Sequence, residues 1–209
     1  MISNSLIKFL NFYTVSILLS FSLVNCIGEN IDDRLISAKK VYLIYLVTDS
    51  KFGMISSDYN VNNSDYTHVG FLMKVKDVLM VYHVLPSKQN SDFKVESLSQ
   101  FLNPTVHKVK DYSIYEVKGI DHDQTLFLLD RMQKEKILFD KKIELHNDKF
   151  YCSELVCYIL NKVDGSFSCE LYLNDHLLPF DKLFLDREVL KYYPVDGLLG
   201  TDKFLEVEI

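Results

Sequence analysis

Two periodicities divide the chain beyond residue 40. Val41 to Val47 (VYLIYLV) is an unbroken apolar run of β-branched and aromatic residues, the pattern of a buried strand. Thr48 to Asp65 is rich in Ser, Asp and Asn and reads as a loop. Thr67 to Val75 and Val78 to Leu85 are apolar stretches separated only by Lys76 and Asp77, which predicts an antiparallel hairpin with a tight polar turn. Lys108 to Val117 adds a strand through Tyr112, Ile114 and Val117. The period then lengthens. Leu126, Leu129 and Met132 or Gln133 recur at helical spacing behind Asp121 or Asp123 as caps, predicting a helix to about Lys136. From Cys152, the residues Leu155, Val156, Ile159, Leu160 and Val163 form a second amphipathic stripe, with Asp148 ahead of it as a cap and Gly165 as its stop. Beyond Gly165 the chain reads as an irregular tail. The order implies an α+β domain in which a small antiparallel sheet is packed against helices on one side.

Residues 1–25 are a separate block. Lys8 precedes an apolar run, Phe9 to Val24, broken only by Asn11 and hydroxyl side chains, which is the composition of a signal peptide. Cys26 follows Leu23-Val24-Asn25 in a loose lipobox, so the expectation is a lipoprotein-type leader, a tether over 26–40 and one catalytic domain over 41–209. The chain is thereby expected to be exported and held at the cell envelope by an N-terminal lipid or an uncleaved anchor, ahead of free secretion. The formal charge is −6, one unit more negative without Lys8, and no basic stripe occurs, so nucleic acid is not an expected partner. Apolar residues make up 48% of the chain, enough for a proper core and too evenly spread for several membrane spans.

Four cysteines occur: Cys26, Cys152, Cys157 and Cys169. With Cys26 lipidated, an odd number remains, leaving at least one thiol free for chemistry. Cys157 and Cys169 could pair in an oxidising compartment, although their spacing does not fix their separation. No C-x-x-C and no matching histidine pair accompanies them, so neither a metal nor a cofactor is expected. Cys152 lies in the first turn of the second helix, on its inward face. There the unpaired N–H groups and the macrodipole favour a thiolate and can receive an oxyanion. A core cysteine is the bland alternative.

The neighbourhood decides between them. Asp148-Lys149-Phe150-Tyr151-Cys152-Ser153-Glu154-Leu155-Val156 resembles the nucleophile motif of the YaeF/YiiX amidase-like family, and Ser64-Asp65-Tyr66-Thr67-His68-Val69-Gly70 resembles its histidine motif. The resemblance spans roughly Val41 to Lys162. It implies a circularly permuted papain-like fold of the NlpC/P60 superfamily, in which the histidine precedes the cysteine, and a thiol hydrolase with Cys152 as nucleophile and His68 as base. The third group, often Glu in that family, falls on His83 of Met80-Val81-Tyr82-His83-Val84. Tyr151, Tyr66 and Tyr45 are candidates to complete the oxyanion hole. Glu154 reads as a structural carboxylate, and His107, His122, His146 and His176 read as solvated. The expected substrate is a peptide or lipid-like amide or ester of the envelope. Acyl transfer between lipids is a second expectation, and a catalytically silent envelope-binding module a third.

Overall fold

The computed structural model describes residues 35–50, 56–87, 91–199 and 201–208. The expected signal peptide, Cys26 and most of the tether lie outside them. From Ile36, which is buried, the chain already packs on the domain.

The continuous apolar run becomes β1 (Val41–Thr48), buried along almost its whole length because sheet neighbours flank it on both sides. The predicted hairpin is β2 (His68–Val75) and β3 (Val78–Val84), paired from Phe71↔Tyr82 to Val75↔Val78. Its turn residues Lys76 and Asp77 both have positive φ, 49° and 64°, the primed-turn geometry that matches strand twist. After β4 (Phe93–Ser97) come two single-turn helices, α1 (Leu98–Phe101) and α2 (Pro104–His107), then β5 (Val109–Val117). Ser97 and Gln100 close a capping box on α1, and Asn103 caps α2 ahead of Pro104. With β10 (Phe204–Glu206) these strands form one antiparallel sheet ordered β10-β5-β1-β2-β3-β4.

The remaining elements in chain order are α3 (His122–Lys134), β6 (Leu138–Phe139), β7 (Lys149–Phe150), α4 (Cys152–Val163), β8 (Tyr172–Asn174), α5 (Pro179–Leu185) and β9 (Leu190–Tyr192). Asp121 caps α3 as expected, accepting from Gln124 N at 2.7 Å. The inward stripe of α3 includes Thr125 with Leu129 and Met132, while Leu126 is only partly buried. α4 follows its predicted stripe, and Leu155, Val156, Ile159 and Leu160 pack with Val41, Leu43, Tyr45, Val69, Phe71 and Met73. Its ends differ from expectation. Asp148 is not its cap: the N-cap is Tyr151, whose side chain makes no capping bond, and Asp164, not Gly165, ends it. Nor is the tail irregular, since it carries β8, α5, β9 and β10. The sheet is also covered on both faces. α3 and α4 lie on one, and α1 with α2 closes the other, where Phe101 packs against His68 and His83.

Candidate active site

His68 is the first residue of β2, held where β1 and β2 meet. Thr67 donates its N–H to Leu46 O at 2.8 Å, and the Thr67 and Thr48 hydroxyls are 2.9 Å apart. The loop leading in is tied down by buried Asp196, which accepts from Val61 N (2.9 Å), Asn62 N (2.8 Å) and the Ser64 hydroxyl (3.1 Å). Asn60 Nδ2 donates to Tyr66 O at 2.8 Å. His68 is thus fixed through its backbone before its ring makes any contact.

Cys152 opens α4 and is 6% exposed. The first intrahelical bond runs from Leu155 N to Tyr151 O, so the N–H groups of Cys152 and Ser153 are spent on no helical acceptor. The helix start is clasped by the segment after β9: Tyr193 N donates to the Tyr151 hydroxyl at 2.8 Å, and the Ser153 hydroxyl donates to Tyr193 O at 2.7 Å. His68 and Cys152 wall the same cavity, of about 170 Å³, together with Thr48, Thr67, Pro86 and His107. Cys152 also walls a second cavity, lined by aromatic and aliphatic side chains that include Tyr59, Ile143, Phe184, Leu185 and Tyr192. The sulfur sits at the junction of a histidine-bearing chamber and an apolar one.

His68 Nε2 lies 3.0 Å from His83 Nδ1, the rings meeting edge to face. His83 is fully buried, and β3 approaches closely here because residue 70 is glycine: a Cβ there would stand 3.0 Å from both His83 Cβ and Tyr82 O. Burial, reinforced by His83 and His107, holds His68 well below the usual histidine range, and burial lowers His83 against the pull of Glu96. Both rings are therefore neutral near pH 7.

Burial also pushes the Cys152 thiol up to about 11, against N–H groups of Val69, Ser153 and Cys152 itself. Desolvation thus opposes the thiolate that the helix N-terminus favours. The three tyrosines separate as well. The Tyr151 hydroxyl accepts from Tyr193 N and keeps its own hydrogen to donate, the Tyr66 and Tyr115 hydroxyls lie 3.2 Å apart, and Tyr45, in the electrostatic reach of Cys152, has a buried hydroxyl with no partner among the described residues.

Two residues of the site were not anticipated. Glu96, on β4, stands with its Oε2 2.9 Å from His107 Nε2 and 3.5 Å from His83 Nε2. His107, expected to be solvated, has a side chain only 10% exposed and lines the cavity with His68 and Cys152. The alternation Phe93, Val95 against Lys94, Glu96 was the available signal, but it is too short to declare a strand by itself. His146 and His176 are exposed as expected, whereas His122 is partly buried against Asp123. Cys157 and Cys169 form a disulfide, leaving Cys152 as the free cysteine among the described residues.

The architecture has a solved counterpart. It is similar to the crystal structure of metalloprotein YiiX from Escherichia coli O157:H7 (DUF1105), with a TM-score of 0.65 and 16% identity over 81% of this chain and 96% of that one. The fold is YiiX-like. No family model and no curated protein matches the sequence. At this identity the likeness to YiiX concerns the fold alone, and the chemistry rests on the residues described above.

Proposed function

We propose that the chain is a cysteine hydrolase of the permuted papain-like, NlpC/P60 type, cleaving an amide or ester through an acyl-thioester on Cys152 with His68 as general base. The observation that carries this reading is the shared cavity: a helix-opening thiol and a neutral imidazole, 84 positions apart in sequence, wall one small chamber. With Nε2 of His68 engaged by His83, Nδ1 is the nitrogen left for the sulfur.

With burial disfavouring a resting thiolate, proton transfer and attack belong to one step. His68 takes the thiol proton as the sulfur bonds to the carbonyl carbon, and the oxyanion is received by the N–H groups at the start of α4. Tyr151, whose hydroxyl accepts from Tyr193 N and keeps its own hydrogen, lines the apolar cavity with Cys152 and can donate to the same oxyanion; Tyr45 also has a free hydroxyl among the described residues. Collapse breaks the bond to the amine or alcohol, which leaves with the proton from His68. Water, deprotonated by His68, then attacks the thioester, releases the acid and restores the thiol. His83 orients the base and shares its positive charge.

The name metalloprotein belongs to YiiX. Among the described residues no three His, Cys, Asp or Glu side chains form a metal-binding group: Glu96 pairs with His107, and His83 gives its Nδ1 to His68. These residues do not fit a metal site, and no step runs through one. The apolar cavity beside Cys152 favours a second reading within the same chemistry, in which the acyl group is lipid-like and is hydrolysed or transferred. The export proposal is supported by the Cys157–Cys169 disulfide, a bond that persists in oxidising compartments.

An activated ester such as p-nitrophenyl acetate tests the mechanism without the natural substrate. Intact-mass spectrometry is expected to show one acyl group, lost in Cys152→Ala and formed about 100-fold or more slowly in His68→Ala. Alkylation by iodoacetamide at pH 6, which needs a resting thiolate, is expected to be slow. Acylation indifferent to both substitutions would sink the reading and leave a binding module.

A further inference from the structure

The groups behind His83 bear on the base itself. β2, β3 and β4 are consecutive antiparallel neighbours and contribute His68, His83 and Glu96 in turn, with Val81↔Glu96 and His83↔Lys94 in register. Phe101 packs on His68, His83 and His107, with ring centroids 5.9, 4.8 and 5.7 Å away. His83 Nε2 is buried, has no hydrogen-bond partner among the described residues, and faces Glu96 Oε2 at 3.5 Å.

A carboxylate accepts and cannot donate. Opposite it, a nitrogen bearing hydrogen is attracted and a nitrogen lone pair is repelled, so His83 carries its proton on Nε2 and its lone pair on Nδ1. That lone pair lies 3.0 Å from His68 Nε2, which must then be N–H. In a neutral imidazole the other nitrogen is left bare. For His68 that nitrogen is Nδ1, the one available to Cys152.

We propose that Glu96 is a positioning residue which, acting through His83, fixes the tautomer of His68 that accepts the Cys152 proton, and that His107 holds the Glu96 carboxylate in place. The assignment to catalysis rests on the Cys152–His68 reading, whereas the tautomer assignment is a property of the folded chain. When His68 becomes charged, the same row places a negative group behind it at the far side of His83.

Long-range ¹H–¹⁵N correlation spectra of the imidazoles read the tautomers directly. In the wild type, His68 and His83 are each expected as the Nε2–H form. In Glu96→Gln the amide can turn its NH₂ toward His83, so both rings are expected to lose that single form, with acylation of Cys152 slowed at least about tenfold. Glu96→Asp, which keeps the carboxylate, is expected to restore the tautomers. An Nδ1–H His68 in the wild type overturns the proposal even if Glu96→Gln fails to fold, and so does a Glu96→Gln spectrum unchanged from wild type. Stoichiometric Zn²⁺ binding lost in Glu96→Gln would also overturn it, since the carboxylate and imidazoles would then be ligands. An inert Cys152 beside the expected tautomers would instead defeat the hydrolase reading alone.

Discussion

Gly70 shows how one missing side chain serves a site. The residue sits on β2 where β3 comes closest, at His83 Cβ and Tyr82 O, with no positive φ to explain it. Gly70→Ala is expected to push β3 outward or tilt His83, costing about 1–3 kcal/mol. A denaturant melt would measure that cost, and slower acylation of Cys152 would show that His68 has lost its support. Glu154 poses a different problem. It is 8% exposed, its Oε2 has no partner among the described residues, and burial raises its carboxyl from an ordinary 4.5 to about 8. The folded state thus holds a proton that the unfolded chain has already lost. Its contribution to stability is complete below about pH 4.5 and falls as pH rises toward 8. Replacement by Gln should remove that slope. The melting temperature of Glu154→Gln relative to wild type is expected to climb between pH 5 and pH 8. A difference independent of pH would show that Glu154 is already ionised in the fold.

At the scale of elements, legibility followed length and periodicity. β1, the β2–β3 hairpin and α4 each present enough apolar positions to declare their period, and Cys152 and His68 stand at the starts of two of them. The two motifs therefore named two residues that line one cavity. β4 was missed because its five residues offer two apolar side chains, Phe93 and Val95, and its order comes from pairing with β3. Glu96 and His107 were missed with it, since a carboxylate among polar neighbours carries no sign that a partner strand will bury it. The cap of α4 was misread for a related reason: Tyr151 is pinned by Tyr193, a residue 42 positions later that no local rule can supply. The disulfide joins α4 to the segment before β8 across 12 residues. Cys169→Ser is expected to lower stability by about 3 kcal/mol, read as a shift in denaturation midpoint. Finding both cysteines as thiols in protein taken from its own cells would remove the support for export.

Across the whole molecule, His68, His83 and Glu96 are close in sequence, whereas Cys152 is not. His68, His83 and Glu96 lie within one three-stranded meander whose links are short, while Cys152 arrives on a helix that must first be packed against β2. The fold class was readable because the sheet and the two main helices dominate the core. The second cover of the sheet was not, because α1 and α2 are single turns held by caps rather than by an amphipathic stripe. The same division sets an order of assembly. Loop closure over a few residues is fast and closure over many is slow, so the imidazole row belongs to the early, local part of folding and the nucleophile joins it late. Until it does, Cys152 and His68 are kept apart. On the proposed reading, a partly folded chain would therefore hold a thiol without its base, and acyl chemistry would begin only once α4 has closed on β2.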